Sequence, residues 1–138
     1  DYCAEWSKKK PPFALKQALI IKVAKIARRL HVNGVNHRDF YICHFLLEKN
    51  SVLSEKIRLF LIDLHRVQIR KRTPERWVVK DLAGLYYSVM DIGLTQRDLY
   101  RFVKVYKGKP LKDALQSEQF FWSKVTQKAL YLYASDKD

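Results

Sequence analysis

Gly34-Val35-Asn36-His37-Arg38-Asp39-Phe40-Tyr41-Ile42-Cys43-His44-Phe45-Leu46-Leu47 is the stretch from which the rest of the chain can be read. It follows a long amphipathic segment. From about Leu15 to Val32, the residues Leu15, Leu19, Val23, Ile26 and Leu30 recur at helical spacing beside Ala24 and Ala27. Lys16, Lys22, Lys25 and Arg29 lie mainly on the other side. Asn33-Gly34 supplies a left-handed stop, so the helix ends just before His37-Arg38-Asp39. After the triplet, Phe45–Leu47 and Ile57–Ile62 read as two short buried strands, with the polar stretch Glu48–Lys56 as their hairpin connection. A second acid, Asp63, follows the second strand directly.

The remaining segments read as scaffold. Residues 1–14 form an opening segment in which Lys8-Lys9-Lys10 runs into Pro11-Pro12, a solvated stretch leading to a helix start. Residues 65–78 hold His65, Arg66, Arg70, Lys71, Arg72 and Arg76, with Pro74 as a breaker, and form the most basic irregular segment. A helix from Val79 to about Ile92 closes at Gly93. Thr95 and Asp98 mark the cap of the next helix, which carries Leu99, Phe102, Val103 and Tyr106 at core spacing and ends at Gly108 and Pro110. A last helix runs from about Leu111 to Tyr133. The expected fold is mainly α with one small β-hairpin (α+β), a single domain over residues 1–138.

Composition narrows the partners. The chain has 138 residues, 48% apolar, with 27 basic side chains against 14 acidic and a net charge of +13. An excess of that size points to a polyanion: nucleic acid, an anionic membrane face, or a phosphorylated or carboxylated substrate. No apolar run is long enough to span a bilayer. Two cysteines, Cys3 and Cys43, give no disulfide framework, and a reducing cytoplasm is expected. The chain opens at Asp1 without Met, as expected of a fragment.

Helix, stop, His-Arg-Asp, strand pair and a lone acid after a buried strand form an order similar to that of kinase-fold enzymes. Phosphoryl transfer asks little covalent chemistry of a protein. It needs an acid to orient the acceptor hydroxyl and acids to hold Mg against the phosphates. Asp39 suits the first role and Asp63 the second, while Arg38 would wire the loop to the basic segment. The alternatives are an ordinary turn acid and a strand-end cap.

A wider resemblance rests on Asn36-His37-Arg38-Asp39-Phe40-Tyr41-Ile42-Cys43-His44-Phe45-Leu46-Leu47, Ile62-Asp63-Leu64-His65-Arg66, Lys80-Asp81-Leu82-Ala83 and Asp91-Ile92-Gly93-Leu94-Thr95. With Asp1-Tyr2-Cys3-Ala4, these make nearly the whole chain resemble the lipopolysaccharide core heptose kinases of Gram-negative bacteria (the WaaP group). The resemblance implies the C-terminal lobe of a protein-kinase-like fold. It also implies ATP-dependent phosphorylation of the first heptose of the lipopolysaccharide inner core, at the cytoplasmic face of the inner membrane and peripheral to it. Carried over by position, Asp39 is the catalytic-loop acid and Asp63 the magnesium ligand. Asp81, opening a helix, ties that helix to the loop, with His37 as further structural support.

Two departures from the kinase pattern shape the expectations. The position five residues past the acid, where kinases carry a metal-binding Asn, is His44, and imidazole is a poor magnesium ligand. One metal then suffices, His44 binds it through water, or another group takes over. Where a Lys would stand there is Tyr41, so Arg66 is expected to supply positive charge near the transferring phosphoryl. The four glycines lie far apart, and neither a Gly-rich phosphate loop nor the ATP-clamping lysine is present, so the chain alone is expected to bind ATP weakly and turn over little. Arg70, Arg72 and Arg76 are expected to seat carboxylates of the acceptor, the alternative being a solvated basic loop. The rival readings are a basic helical nucleic-acid-binding module, which leaves Asp39 and Asp63 without a purpose, and a non-catalytic kinase-like scaffold.

Overall fold

A computed structural model describes residues 2–49, 51 and 56–136. Five helices carry most of the chain: α1 (Phe13–Val32), α2 (Glu75–Val89), α3 (Gln96–Lys107), α4 (Leu111–Gln116) and α5 (Gln119–Asp136). Helix α1 packs on α3, and α2 on α5. The core between them holds Val23, Ala24 and Ala27 of α1, Leu82, Ala83 and Leu85 of α2, and Phe121, Val125 and Ala129 of α5. The alanines let the helix backbones approach closely, since a small side chain at the contact shortens the interaxial distance.

Four short strands, β1 (Val35–Asn36), β2 (Phe45–Leu47), β3 (Leu59–Leu61) and β4 (Gln68–Ile69), lie between α1 and α2. They form two antiparallel ribbons, among the described residues, rather than the single hairpin expected. β2 pairs with β3, Phe45 opposite Leu61, and β1 pairs with β4, Val35 opposite Ile69. The second ribbon escapes a sequence reading because two residues per strand carry no alternation. Its register is held instead by Arg70 N–H donating to the Gly34 carbonyl at 2.8 Å. At Gly34, φ is +80° and an added Cβ would stand 1.8 Å from the Arg70 carbonyl oxygen, so only glycine fits.

Several boundaries differ from expectation. The second strand is Leu59–Leu61, shorter than 57–62, and much of the expected 48–56 connection lies outside the described residues. Helix α2 starts at Glu75 with Pro74 as its N-cap, four residues earlier than read. Pro74 therefore begins a helix where it was taken as a breaker, as its fixed φ and missing N–H allow at that end. Asp81 lies inside α2 and does not open it. The 65–78 segment is not irregular throughout: it holds part of a short 3-10 turn (Leu64–Arg66), β4 and the first turn of α2. The final helix is two, broken between Gln116 and Gln119.

Elsewhere the local signals hold. Thr95 and Asp98 close a reciprocal capping box on α3, Thr95 N–H donating to the Asp98 carboxylate at 2.9 Å and Asp98 N–H to the Thr95 hydroxyl at 3.2 Å. Lys8, Lys9 and Lys10 are exposed, but the opening segment also packs. Cys3 is buried against Val89 and Ile92, with Trp6 beside them.

Candidate active site

The two ribbons bring Asp39 and Asp63 together. β1 and β4 join on one side of the pair of loops, β2 and β3 on the other, so residues 37–44 and 62–67 are clamped between ladders at both ends. Ile62 N–H donates to the His44 carbonyl at 2.9 Å. His37 Nε2–H donates to the Ile62 carbonyl at 2.9 Å, while its Nδ1 accepts from Asp39 N–H at 3.2 Å. Those two bonds select one neutral tautomer, and His37 is fully buried. Phe40, 1% exposed, is itself seated in the core. Asp39 thus lies in a short loop anchored by two buried side chains, His37 and Phe40.

His44 bridges the Asp39 backbone and the Asp63 carboxylate. Its Nδ1 lies 2.6 Å from the Asp39 carbonyl and its Nε2 lies 3.1 Å from Asp63 Oδ2. Both nitrogens face oxygen, so in this arrangement His44 orients Asp63 and leaves no nitrogen turned toward a metal. His65 Nδ1 meets the other Asp63 oxygen. Asp63 itself is in the left-handed region, φ 63°. A non-glycine residue held there marks a strained position, and such strain clusters at functional sites.

Arg66 Nη1 donates to Asp39 Oδ1 at 2.6 Å. It therefore grips the loop acid directly, and Asp39 Oδ2 has no partner among the described residues. A carboxylate held by one oxygen and open at the other can accept a proton or hydrogen bond from an incoming hydroxyl.

Asp81 holds the loop from behind. Oδ2 accepts His37 N–H at 2.8 Å and Oδ1 accepts Arg38 N–H at 2.9 Å. Arg38 has φ 76°, and this double acceptor stabilises a backbone that sterics disfavour. Oδ2 also takes His31 Nε2–H at 2.9 Å, and His31 Nδ1 in turn accepts from the Tyr106 hydroxyl at 2.6 Å. Burial first, and then the Asp81 carboxylate, push the Tyr106 phenol far above its ordinary value, so it stays a donor. The relay runs α3, α1, α2, loop. His31 was not singled out from sequence, and Tyr106 was read only as a core residue. The usable signal was that His31 continues the Ala24 and Ala27 face of α1, which buries a polar side chain that needs partners.

Of the arginines of the basic segment, Arg70 and Arg76 both lie over the Trp77 ring. Arg70 donates to Asn36 Oδ1 at 3.0 Å and Gln68 Oε1 at 2.9 Å. Arg76 stacks on Trp77, and Arg72 is exposed. Arg38 also lies over Trp77, so its link to the basic segment runs through an indole.

For magnesium, the donor chemistry is sparse. No group of three or more His, Cys, Asp or Glu side chains is arranged to hold a metal among the described residues. Asp63 offers oxygens at a partly exposed position, which suits an ion that takes one or two carboxylates and completes its shell with phosphates and water.

A mainly helical lobe in which two short antiparallel ribbons hold a pair of acid-bearing loops side by side is kinase-like. The chain belongs to the Lipopolysaccharide kinase (Kdo/WaaP) family, whose profile it matches over residues 1–106. It is 52% identical over 130 residues to lipopolysaccharide core heptose(I) kinase WaaP of Escherichia coli, covering 94% of this chain and 49% of that protein. It is 47% identical over 133 residues to the Pseudomonas aeruginosa enzyme of the same name, covering 96% and 50%. A solved structure, WaaP in complex with acyl carrier protein, superposes with a TM-score of 0.88 at 47% identity, over 96% of this chain and 55% of that one. The chain thus spans about half the length of the relatives it matches. No described helix is long and apolar enough to cross a membrane.

Proposed function

We propose that this chain is the acceptor-side lobe of a kinase that transfers the γ-phosphoryl of ATP to a hydroxyl of heptose I in the lipopolysaccharide inner core. One observation carries the reading: the loop residues Asp39 and Asp63 are joined through His44, which contacts the Asp39 backbone carbonyl and the Asp63 carboxylate, while Arg66 grips the Asp39 carboxylate and Asp63 is partly open to solvent. Asp39 would orient the acceptor hydroxyl and receive its proton. Arg66 would hold that carboxylate in place and add positive charge beside the transferring group. Asp63, oriented by His44 and His65, would hold Mg2+, which supplies charge neutralisation at the phosphates. Arg38, through its backbone, keeps the loop in register with Asp81. Nucleotide clamping falls to chain beyond these residues. The net charge of +13 supports work at an anionic surface, the cytoplasmic face of the inner membrane.

A protein partner belongs to the same proposal. The solved relative was captured with acyl carrier protein, and this chain has a cavity of about 540 Å3 lined by Leu19, Val23, Leu82, Phe102, Val103 and other apolar side chains. An acyl chain is a chemically suitable occupant, since the lining offers little to a polar ligand.

Complementation tests the enzymatic reading. Cells lacking core phosphate should regain it, by mass spectrometry of the core, when given the full-length protein, and should not when it carries Asp39→Ala. Restoration by the variant would instead favour a non-catalytic scaffold.

A further inference from the structure

One cluster near the loop has no role in phosphoryl transfer as described. Trp77, in the first turn of α2, is surrounded by four cations. The Arg38 and Arg70 guanidinium carbons lie 5.6 Å from the ring centroid, that of Arg76 at 5.3 Å and the Lys80 ammonium at 5.4 Å. A cation over an indole is attractive, but four like charges gathered around one ring also repel each other. None of the four makes an ion pair among the described residues. Glu75, the nearest acid in sequence, is paired with Lys124 instead. Asp81 faces the Arg38 backbone and not its side chain.

Two buried donors in the same cluster lack an acceptor. Arg38 Nε and Trp77 Nε1 are both shielded from solvent with no hydrogen-bond partner among the described residues. Buried donors are almost always satisfied, and each exception asks for an explanation. Unmet N–H groups and unneutralised positive charge at one place have a common remedy, a group that brings acceptor oxygens and negative charge together. A carboxylate or a phosphate ester does this, and guanidinium forks suit either geometry.

We propose that Trp77 and the side chains of Arg38, Arg70, Arg76 and Lys80 form a binding site for an oxyanion, a carboxylate or phosphate group. Trp77 Nε1 and Arg38 Nε donate to it. Arg70 is pre-oriented by Asn36 and Gln68. Because Arg38 adjoins Asp39, an anion here would also stabilise the left-handed backbone that precedes the loop acid. Assigning the anion to the lipopolysaccharide acceptor rests on the function proposed above; the site itself does not.

The test uses full-length protein carrying 15N-labelled tryptophan, with inorganic phosphate as the probe and Trp77→Phe to assign the indole signal. The Trp77 indole N–H resonance should move saturably with phosphate. The double variant Arg70→Gln/Lys80→Gln should weaken apparent affinity at least tenfold, whereas Lys22→Gln/Lys25→Gln, exposed on α1 and matched in charge, should leave it within twofold. Absence of a saturable shift, or equal weakening by the α1 variant, would overturn the site. Two further arms separate the sources of the anion, and a positive result in either supports the site. Acceptor saccharide that competes with phosphate only while its carboxylates are intact identifies the acceptor; a change in the indole signal after phosphatase treatment of the protein identifies a phosphoryl group on the chain. Phosphate binding without transfer to lipopolysaccharide would defeat the proposed function and leave the site standing.

Discussion

Asp39 has one oxygen on Arg66 and one without a partner, and that asymmetry makes specific demands on substitution. Asp39→Asn keeps the shape but cannot take a proton, and should lower turnover of the full-length enzyme by roughly 10²–10⁴-fold. Arg66→Ala removes both the grip on Asp39 and a positive charge. It should lower turnover by about 10²-fold while the apparent affinity for ATP changes little; steady-state kinetics over both substrates would separate the two, and unchanged turnover would remove Arg66 from the site. At this scale much was legible. Asp39 and Asp63 stand out because one lies in the turn after a long amphipathic segment and the other directly follows an apolar run. His44 was visible as a departure, but not its geometry: only the fold shows that its ring spans from the Asp39 backbone carbonyl to the Asp63 carboxylate. Trp77 was not singled out from sequence, because cations gather around it from the residue after β4, from α2 and from the loop, which no sequence spacing links.

Helix α2 is the element that keeps the loop in position. Asp81 accepts three hydrogen bonds, two from loop backbone and one from His31. In Asp81→Asn, one carboxylate oxygen becomes a donor facing donors, an uncompensated buried clash that should cost roughly 3 kcal/mol. A lowered denaturation midpoint at unchanged slope would show it. Helix α3 offers a pH test. Burial pushes the Asp98 carboxyl up, but Lys16 at 2.8 Å and the Thr95 cap pull it down further, leaving it below the ordinary carboxylate value. A depressed folded-state pKa stabilises above the unfolded value of about 4, and that contribution fades as pH falls through the folded value. Asp98→Asn should therefore cost about 1–2 kcal/mol at pH 7 and lose that penalty in acid. A melting-temperature gap between variant and parent that persists undiminished as pH falls through and beyond the carboxylate range would contradict the ion pair. The Thr95–Asp98 cap was readable because its signal is local. The β1–β4 ribbon was not, since two-residue strands are specified by the partner across the sheet.

For the molecule as a whole, the chain spans about half the length of its relatives, and the proposed division of labour leaves ATP clamping to chain outside these residues. The 138-residue chain should bind ATP weakly, and calorimetry showing tight binding would contradict the division of labour. The apolar cavity makes a second whole-molecule claim. Acylated acyl carrier protein should raise the melting temperature of the full-length protein more than the same carrier without an acyl chain; equal shifts would mean the chain does not enter. The account's most direct test is radiolabel transfer from γ-labelled ATP to purified lipopolysaccharide by the full-length enzyme, alongside Asp39→Asn and Asp63→Asn. Both variants should retain the parent's fold by circular dichroism and lose transfer by at least two orders of magnitude, on the scale expected for a positioned acid or metal ligand. Transfer at parental rate by either variant would show that these two carboxylates do not do the chemistry.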